Sequence, residues 1–410
     1  MKATKPPRGA IPVFRPSYDG RELEALREPF ENGWIGLGPK TAEFEEQFAA
    51  YAGARFAVGM NSATAALHLA IAASEIGAGD EVLVPTLTFV STAHAVAYCG
   101  AKPVFVDIHP ETLCLDVGNA GKKVSRKTRA IIPVHYGGHA CPMEKVWELA
   151  AEHNLIVIED AAHACGSRYQ GHRIGGLEKT DATCFSFHAV KNLATGDGGM
   201  VTTNRSDLYE RLLRLRWMGI DRTTWERSQV AESKGEGSTR AYASYGWYYE
   251  VAELGFKCHM NDITATIGLV QLAKLEGMNE RRREIAAHYD KGLQALDWIE
   301  RPVEREYTRS ARHNYVIQTD TRDELNQFLK ERGIATGVHY LPIHLQPFYR
   351  NAQDQSLPIA ERTWPRLLTL PLYPDLSDEE VEYILASIRA FDEQHVRATS
   401  TAGRARVRGV

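Results

Sequence analysis

Apolar residues follow two rhythms along this chain of 410 residues. The runs EVLVP (81–85), PVFVD (103–107), AIIPV (130–134) and LIVIED (155–160) are short and rich in Val and Ile, as buried strands are. Between and after them, TAALHLAIAAS (64–74), PMEKVWELAAEHN (142–154) and RSDLYERLLRLRWM (205–218) space their apolar residues three to four apart, as amphipathic helices do. Strands alternating with helices predict an α/β fold: a mostly parallel sheet with helices on both faces.

The pattern then changes. A long helical stretch, 262–296, leads to a strand-like NYVIQTD (314–320) and a helical DELNQFLKERG (323–333) that Gly333 closes. The last strong helix is SDEEVEYILASIRAF (377–391), with Ser377 as candidate N-cap and acidic residues in its first turn. A chain of this length suggests about two domains. The expected division is an N-terminal arm (1–19, its first nine or so residues loose), a large domain (20–275), a smaller C-terminal α+β domain (276–396) and a basic, frayed tail (397–410).

Composition narrows the function classes. A formal net charge of −4 provides no basic stripe for nucleic acid. No apolar run reaches the ~18 residues of a membrane span. The opening MKATKPPRGAIPVF lacks the apolar core of a secretory signal. Six scattered cysteines read as reduced thiols, so a cytoplasmic setting is expected.

Three segments carry candidate chemistry. In VGMNSATAALHLAIAAS (58–74), a strand ends near Gly59 and a helix opens near Thr64, so Ser62, Ala63 and Thr64 offer hydroxyls and free N–H groups to a phosphate. Ordinary N-capping is the alternative. In LIVIEDAAHACGS (155–167), Glu159 and Asp160 leave a buried strand at its carboxyl end, where ligands of open α/β sheets gather. A carboxylate there needs a partner, such as a protonated pyridine nitrogen; a structural Asp capping the next turn is the alternative. In ATCFSFHAVKNLATGDGGMVTTN (182–204), a strand delivers Ser186, His188 and Lys191 into a turn with Gly196, Gly198 and Gly199. Desolvation there would give Lys191 the free amine that attacks an aldehyde.

Together these segments resemble the DegT/DnrJ/EryC1/StrS family of sugar aminotransferases, pyridoxal-5'-phosphate (PLP) enzymes of fold type I. The strings that carry the resemblance are SFHAVKNLATGDGG (186–199), NSATAALHLA (61–70), PTLTFVSTAHAV (85–96), EDAAHACGS (159–167) and GVHYLPIHLQPFYR (337–350). The likeness extends from about Ile11 to Phe391.

The resemblance implies that Lys191 carries PLP as a Schiff base and moves the substrate proton. It implies Asp160 on the pyridine nitrogen, His163 near the ring hydroxyl, Phe89 stacked on the ring, and Ala63, Thr64 and Ser186 around the phosphate. It also implies a homodimer with the site at the subunit interface, into which the segment GFKCHMND (255–262) reaches. One common form of that motif has Asn where this chain has Lys257, which could meet the phosphate as a point charge or be a surface lysine.

The implied reaction is a two-half transamination, from L-glutamate through pyridoxamine phosphate (PMP) to a nucleotide-linked keto-deoxysugar, at C3 or C4. Keto-inositol or free keto-sugar acceptors, a dehydratase of the same fold, and a non-catalytic regulator are the alternatives. Dehydratase relatives have His where this chain has Lys191.

Other signals are weaker. His339 and His344 belong to the substrate side or to the packing. The trio His135, His139 and Cys141 lacks a fourth nearby ligand, so no metal is expected. The aromatic run YASYGWYYEV (242–251) lines a sugar or nucleotide site or an interface core, and ERRRE (280–284) reads as a solvated helix face.

Overall fold

The computed structural model describes residues 9–230, 247–350 and 356–396. In chain order its strands are β1 (Phe56–Met60), β2 (Glu81–Pro85), β3 (Lys102–Val106), β4 (Thr128–Ile131), β5 (Ile156–Asp160), β6 (Arg168–Tyr169), β7 (His172–Arg173), β8 (Ala182–Ser186), β9 (Gly199–Thr203), β10 (Thr308–Arg309), β11 (Tyr315–Gln318) and β12 (Leu367–Leu370). Seven form the main sheet in the order β1-β9-β8-β5-β4-β2-β3. β9 is antiparallel to both its neighbours, and the remaining pairs are parallel. All strands but β9 therefore point the same way, and their carboxyl ends share one edge.

The alternation of side chains along these strands builds two cores. Leu83, Ile131, Val157, Phe185 and Met200 pack on one face, with Phe44 and Phe48 of the helix Pro39–Ala52. Val82, Val84, Ala130, Ile158 and Val201 pack on the other, against Leu67, Leu69 and Ile71 of the helix Ala63–Ala73. A third core surrounds the antiparallel pair β11–β12 and includes Tyr289, Tyr315, Leu368, Ile384 and Phe391. The helix Asp378–Phe391 opens as expected, with a capping box between Ser377 and Glu380.

The expected domain division meets a continuous element. Residues 275 and 276 lie inside one helix of 32 residues, Asp262–Leu293. Its first half packs against the helix Pro39–Ala52, while Ile285, Ala286, Tyr289 and Leu293 enter the third core. Apolar spacing is uninterrupted across that junction, so the chain has no local reason to break there.

Past the first nine or so residues, the N-terminal arm is anchored. Ile11 is buried in the third core, and its backbone bonds to Gly333 and Ala335. Residues 1–8 and the expected tail, 397–410, lie outside the described residues. The solvated reading of ERRRE fails for Arg282, which is buried while Glu280 and Glu284 are exposed. Among the described residues, no helix is long and apolar enough to cross a membrane.

Candidate functional site

The carboxyl edge of the main sheet holds a cavity of about 420 Å³, within the size range of small-molecule sites. Its walls come from the turns after β1, β2, β5 and β8 and from the segment holding His339 and Tyr340. Ala63, Thr64, Phe89, Asp160, His163, Ser186, Lys191 and His339 all line it.

One end is the N-terminus of the helix Ala63–Ala73. Ser62 caps it by accepting the Ala65 N–H at 3.1 Å. The Ala63 and Thr64 N–H groups belong to the first turn and have no carbonyl one turn back to bond. The Thr64 hydroxyl meets that of Ser91 at 2.7 Å, and Ser186 stands at the end of β8. Gly199 makes this arrangement possible: a Cβ there would lie 2.5 Å from the Ser62 carbonyl group. The glycine lets β9 run directly beneath the helix N-terminus.

Asp160 ends β5 and is buried. Its Oδ2 accepts from the Thr92 hydroxyl at 2.8 Å and its Oδ1 from the Ala162 N–H at 3.1 Å. Thr88 lies 2.9 Å from the Thr92 hydroxyl and extends the chain of bonds. Burial raises the carboxyl pKa, and the two donors partly offset that rise. Lys191 faces the same cavity, and burial pushes its amine down to about 8. Its Nζ lies 3.5 Å from His313 Nε2.

His163 accepts the Gly137 N–H on Nδ1 at 3.3 Å. Its remaining proton is therefore on Nε2, which lies 3.1 Å from the Tyr340 hydroxyl. Burial and the Lys191 charge hold this imidazole neutral. Phe89 is 57% exposed on the cavity wall, with Tyr340 its near aromatic neighbour at 5.9 Å. His339 donates or accepts at Thr369 Oγ1 across 2.8 Å, and burial pushes it down to about 4.

Two expected site residues stand elsewhere. His344 is absent from the cavity wall, contrary to the expected substrate role; it is 5% exposed, between Thr86 and Glu361. The Glu361 carboxylate accepts from His344 Nε2–H, so Nδ1 of the neutral ring accepts from the Thr86 hydroxyl, which itself accepts the His344 backbone N–H. That is a packed, satisfied histidine. Lys257 also lies off this wall: it is exposed, with Nζ 3.5 Å from the centre of the Trp217 ring.

The remaining signals resolve into structure. His135 accepts the Cys141 N–H on Nδ1 and donates from Nε2 to Glu159 at 2.7 Å. His139 bonds the Ala140 carbonyl and the Arg305 N–H. Of the aromatic run, 242–246 lie outside the described residues, and Trp247, Tyr249 and Val251 are exposed away from the cavity.

Sequence reasoning missed Thr88, Thr92, Ser91, Tyr340 and His313. Thr88 and Thr92 are four residues apart in PTLTFVSTAHAV, a spacing that could have suggested a shared face. His313 lies 122 positions from Lys191 and had no local signal.

These residues fit PLP on their own geometry. Free N–H groups and hydroxyls converge at one end, where a phosphate binds well. A buried carboxylate with two neutral donors, an amine with a lowered pKa and an uncovered aromatic face surround the rest.

Comparison with known proteins bears on the same point. Residues 16–389 match the DegT/DnrJ/EryC1/StrS aminotransferase family. The spore coat polysaccharide biosynthesis protein SpsC of Bacillus subtilis is 40% identical over 390 residues, covering 92% of this chain and 96% of SpsC. Spr1654 of Streptococcus pneumoniae in its PMP form has a TM-score of 0.85 at 31% identity, covering 94% of this chain and 99% of that one. It has also been solved in a PLP form. DesV of S. venezuelae, solved in complex with a ketimine intermediate, has a TM-score of 0.83 at 34% identity, with 94% and 99% covered. A match along nearly the whole chain, with such relatives beside it, establishes that this protein belongs to the DegT/DnrJ/EryC1/StrS aminotransferase family.

Proposed function

We propose that this protein is a PLP-dependent sugar aminotransferase that moves the amino group of L-glutamate to a keto-sugar, a nucleotide-linked keto-deoxysugar at C3 or C4. The observation that carries this reading is the placement of Lys191 and Asp160 on one cavity that ends in an open helix N-terminus. Sugar chemistry is supported by the SpsC relative, which is named for spore coat polysaccharide biosynthesis.

PLP, when bound, supplies an electron-withdrawing ring that takes up charge from the substrate carbon. The protein supplies orientation and proton control. The Ala63 and Thr64 N–H groups and the Thr64 and Ser186 hydroxyls would hold the phosphate. Asp160, supported by Thr92, would hold a proton on the pyridine nitrogen. Phe89 would cover one ring face, and His163 would stand by the ring hydroxyl. Lys191, whose amine burial pushes down to about 8, would hold the cofactor and, once released from it, would move a proton at the substrate carbon. His339 lines the cavity and would face the substrate.

The reading includes a homodimer in which Lys257 meets the phosphate of the neighbouring subunit. Its exposure supports that role, because it leaves the ammonium accessible to a second subunit.

The test is an absorption spectrum of the purified protein with PLP, before and after L-glutamate. A band near roughly 410–430 nm should convert to one near about 330 nm. A band unmoved by glutamate would overturn the donor, and no band at all would overturn the role of Lys191.

A further inference from the structure

His313 precedes β11 in the smaller layer, yet its side chain reaches Lys191 on the wall of the main-sheet cavity, and its neighbours fix where its proton lies. Asn192 donates both amide hydrogens, to Asn279 Oδ1 at 2.7 Å and to the Ala311 carbonyl at 2.9 Å. Asn279 donates to the Cys165 carbonyl at 3.0 Å, which fixes the orientation of both amides. Asn192 Oδ1 is therefore an acceptor, and it faces His313 Nδ1 at 3.0 Å. The imidazole proton is on Nδ1. A neutral ring has one N–H, so Nε2 presents a lone pair, and the group 3.5 Å from it is Lys191 Nζ.

The ring is held firmly. Phe14 stacks on it at 5.3 Å and 5°, and the His163 ring centre is 4.5 Å away. The His313 backbone N–H donates to the Gly137 carbonyl at 3.1 Å, and the N–H of the same glycine donates to His163. His313 is 2% exposed. The titratable groups that face it are Lys191, His163, Arg282 and His339, and with burial they hold it neutral.

We propose that His313 is a positioning residue for Lys191, its proton-free Nε2 accepting a hydrogen bond from Lys191 Nζ whenever that amine is free. A lysine amine on a four-carbon stem otherwise samples many rotamers. The bond keeps it at a fixed point beside the cavity between the steps that consume it. Phe14 makes the N-terminal segment part of this support, because Val13 beside it accepts the Leu372 N–H at 3.0 Å. The proposal rests on the reading of Lys191 as the cofactor-holding amine.

The experiment uses the full chain without cofactor, with histidine labelled in nitrogen-15. The His313 resonances, assigned by their loss in His313→Gln, should report the Nδ1–H tautomer in the parent protein. The Nε2–H tautomer or an imidazolium at neutral pH would overturn the proposal. In parallel, the reaction of Lys191 with dinitrofluorobenzene is followed against pH by peptide mass.

His313→Phe keeps the stacked ring and removes the acceptor, so the Lys191 midpoint should fall by about one pH unit. His313→Gln can place an amide oxygen at the Nε2 position and should keep the parent midpoint. A midpoint in His313→Phe that is unchanged or higher would overturn the proposal, as would an equal fall in both variants. If His313→Phe does not fold, the tautomer of the parent protein decides. Failure of the cofactor reading is separate: no PLP would be fixed to Lys191 by borohydride, while the tautomer would be as stated.

Discussion

The Thr92 hydroxyl donates to Asp160 Oδ2 across 2.8 Å, from the helix that follows β2 to the last residue of β5. This bond partly offsets the penalty of burying a carboxylate at the sheet edge. Thr92→Val keeps the shape and removes the donor. The dissociation constant for PLP, read by absorption titration of cofactor-free protein, should rise about tenfold. An unchanged constant would mean that the Ala162 N–H alone holds the carboxylate.

Lys191 sets a pH dependence whose sign follows from its lowered pKa. The unfolded chain binds this proton up to 10.5, whereas the folded chain releases it near 8. Between those values the unfolded state holds more protons, so the Lys191 contribution to stability rises with pH across that window. Lys191→Met removes the burial penalty. In cofactor-free protein its melting-temperature advantage over the parent should be largest at pH 7 and shrink as pH climbs from about 8 towards 10.5. An advantage independent of pH would place the folded amine at its ordinary value. The same variant should retain no borohydride-fixed PLP.

Gly196 and Gly199 should behave differently. A Cβ on Gly199 would lie 2.5 Å from Ser62, so Gly199→Ala must displace the helix N-terminus. Its PLP affinity should fall by about tenfold or more, as expected when a phosphate cradle opens. Gly196 has φ +91 and nothing within 4 Å, so Gly196→Ala strains the backbone without touching the cradle. It should lower stability by about 1 kcal/mol with a much smaller change in affinity.

His344→Ala separates packing from substrate recognition. It leaves Thr86 without its partner in a buried setting and should destabilise by about 1–3 kcal/mol in denaturant unfolding. KM for donor and acceptor should stay at the parent values, whereas His339→Ala should raise KM for the acceptor.

The shared-site reading predicts complementation. Lys257→Ala should weaken PLP binding, and Lys191→Ala should be inactive. Mixing the two variants through reversible subunit exchange should restore activity, because one site of the mixed dimer then has both lysines. No restoration, or a protein that is monomeric and active by light scattering, would assign Lys257 to the surface.

Much of the site was legible in sequence because its chemistry sits where strands end. An apolar run fixes a strand, and the polar residues that follow it must emerge at the sheet edge, as Asp160, Ser186 and Lys191 do. The helix opening at Ala63 was legible for the same reason: Ser62 is a cap by residue type and position. The two histidines of GVHYLPIH were not separable this way. They differ by five positions in one irregular segment, and only the packing of Thr86 and Glu361 around one of them draws it away from the cavity.

The sequence by itself determined the alternation of strand and helix, the reversal of pattern near the C-terminal region, and the residues at the strand ends. These depend on local periodicity, which each short segment carries alone. Tertiary structure decided that Gly199 runs beneath Ser62, that Thr92 supports Asp160, that Ile11 anchors the N-terminal segment and that His313 faces Lys191. Each is a contact between groups far apart in the chain, and no periodicity records it. Their partners are chosen by the sheet order and by the packing of the smaller layer against it, which set distance and burial together.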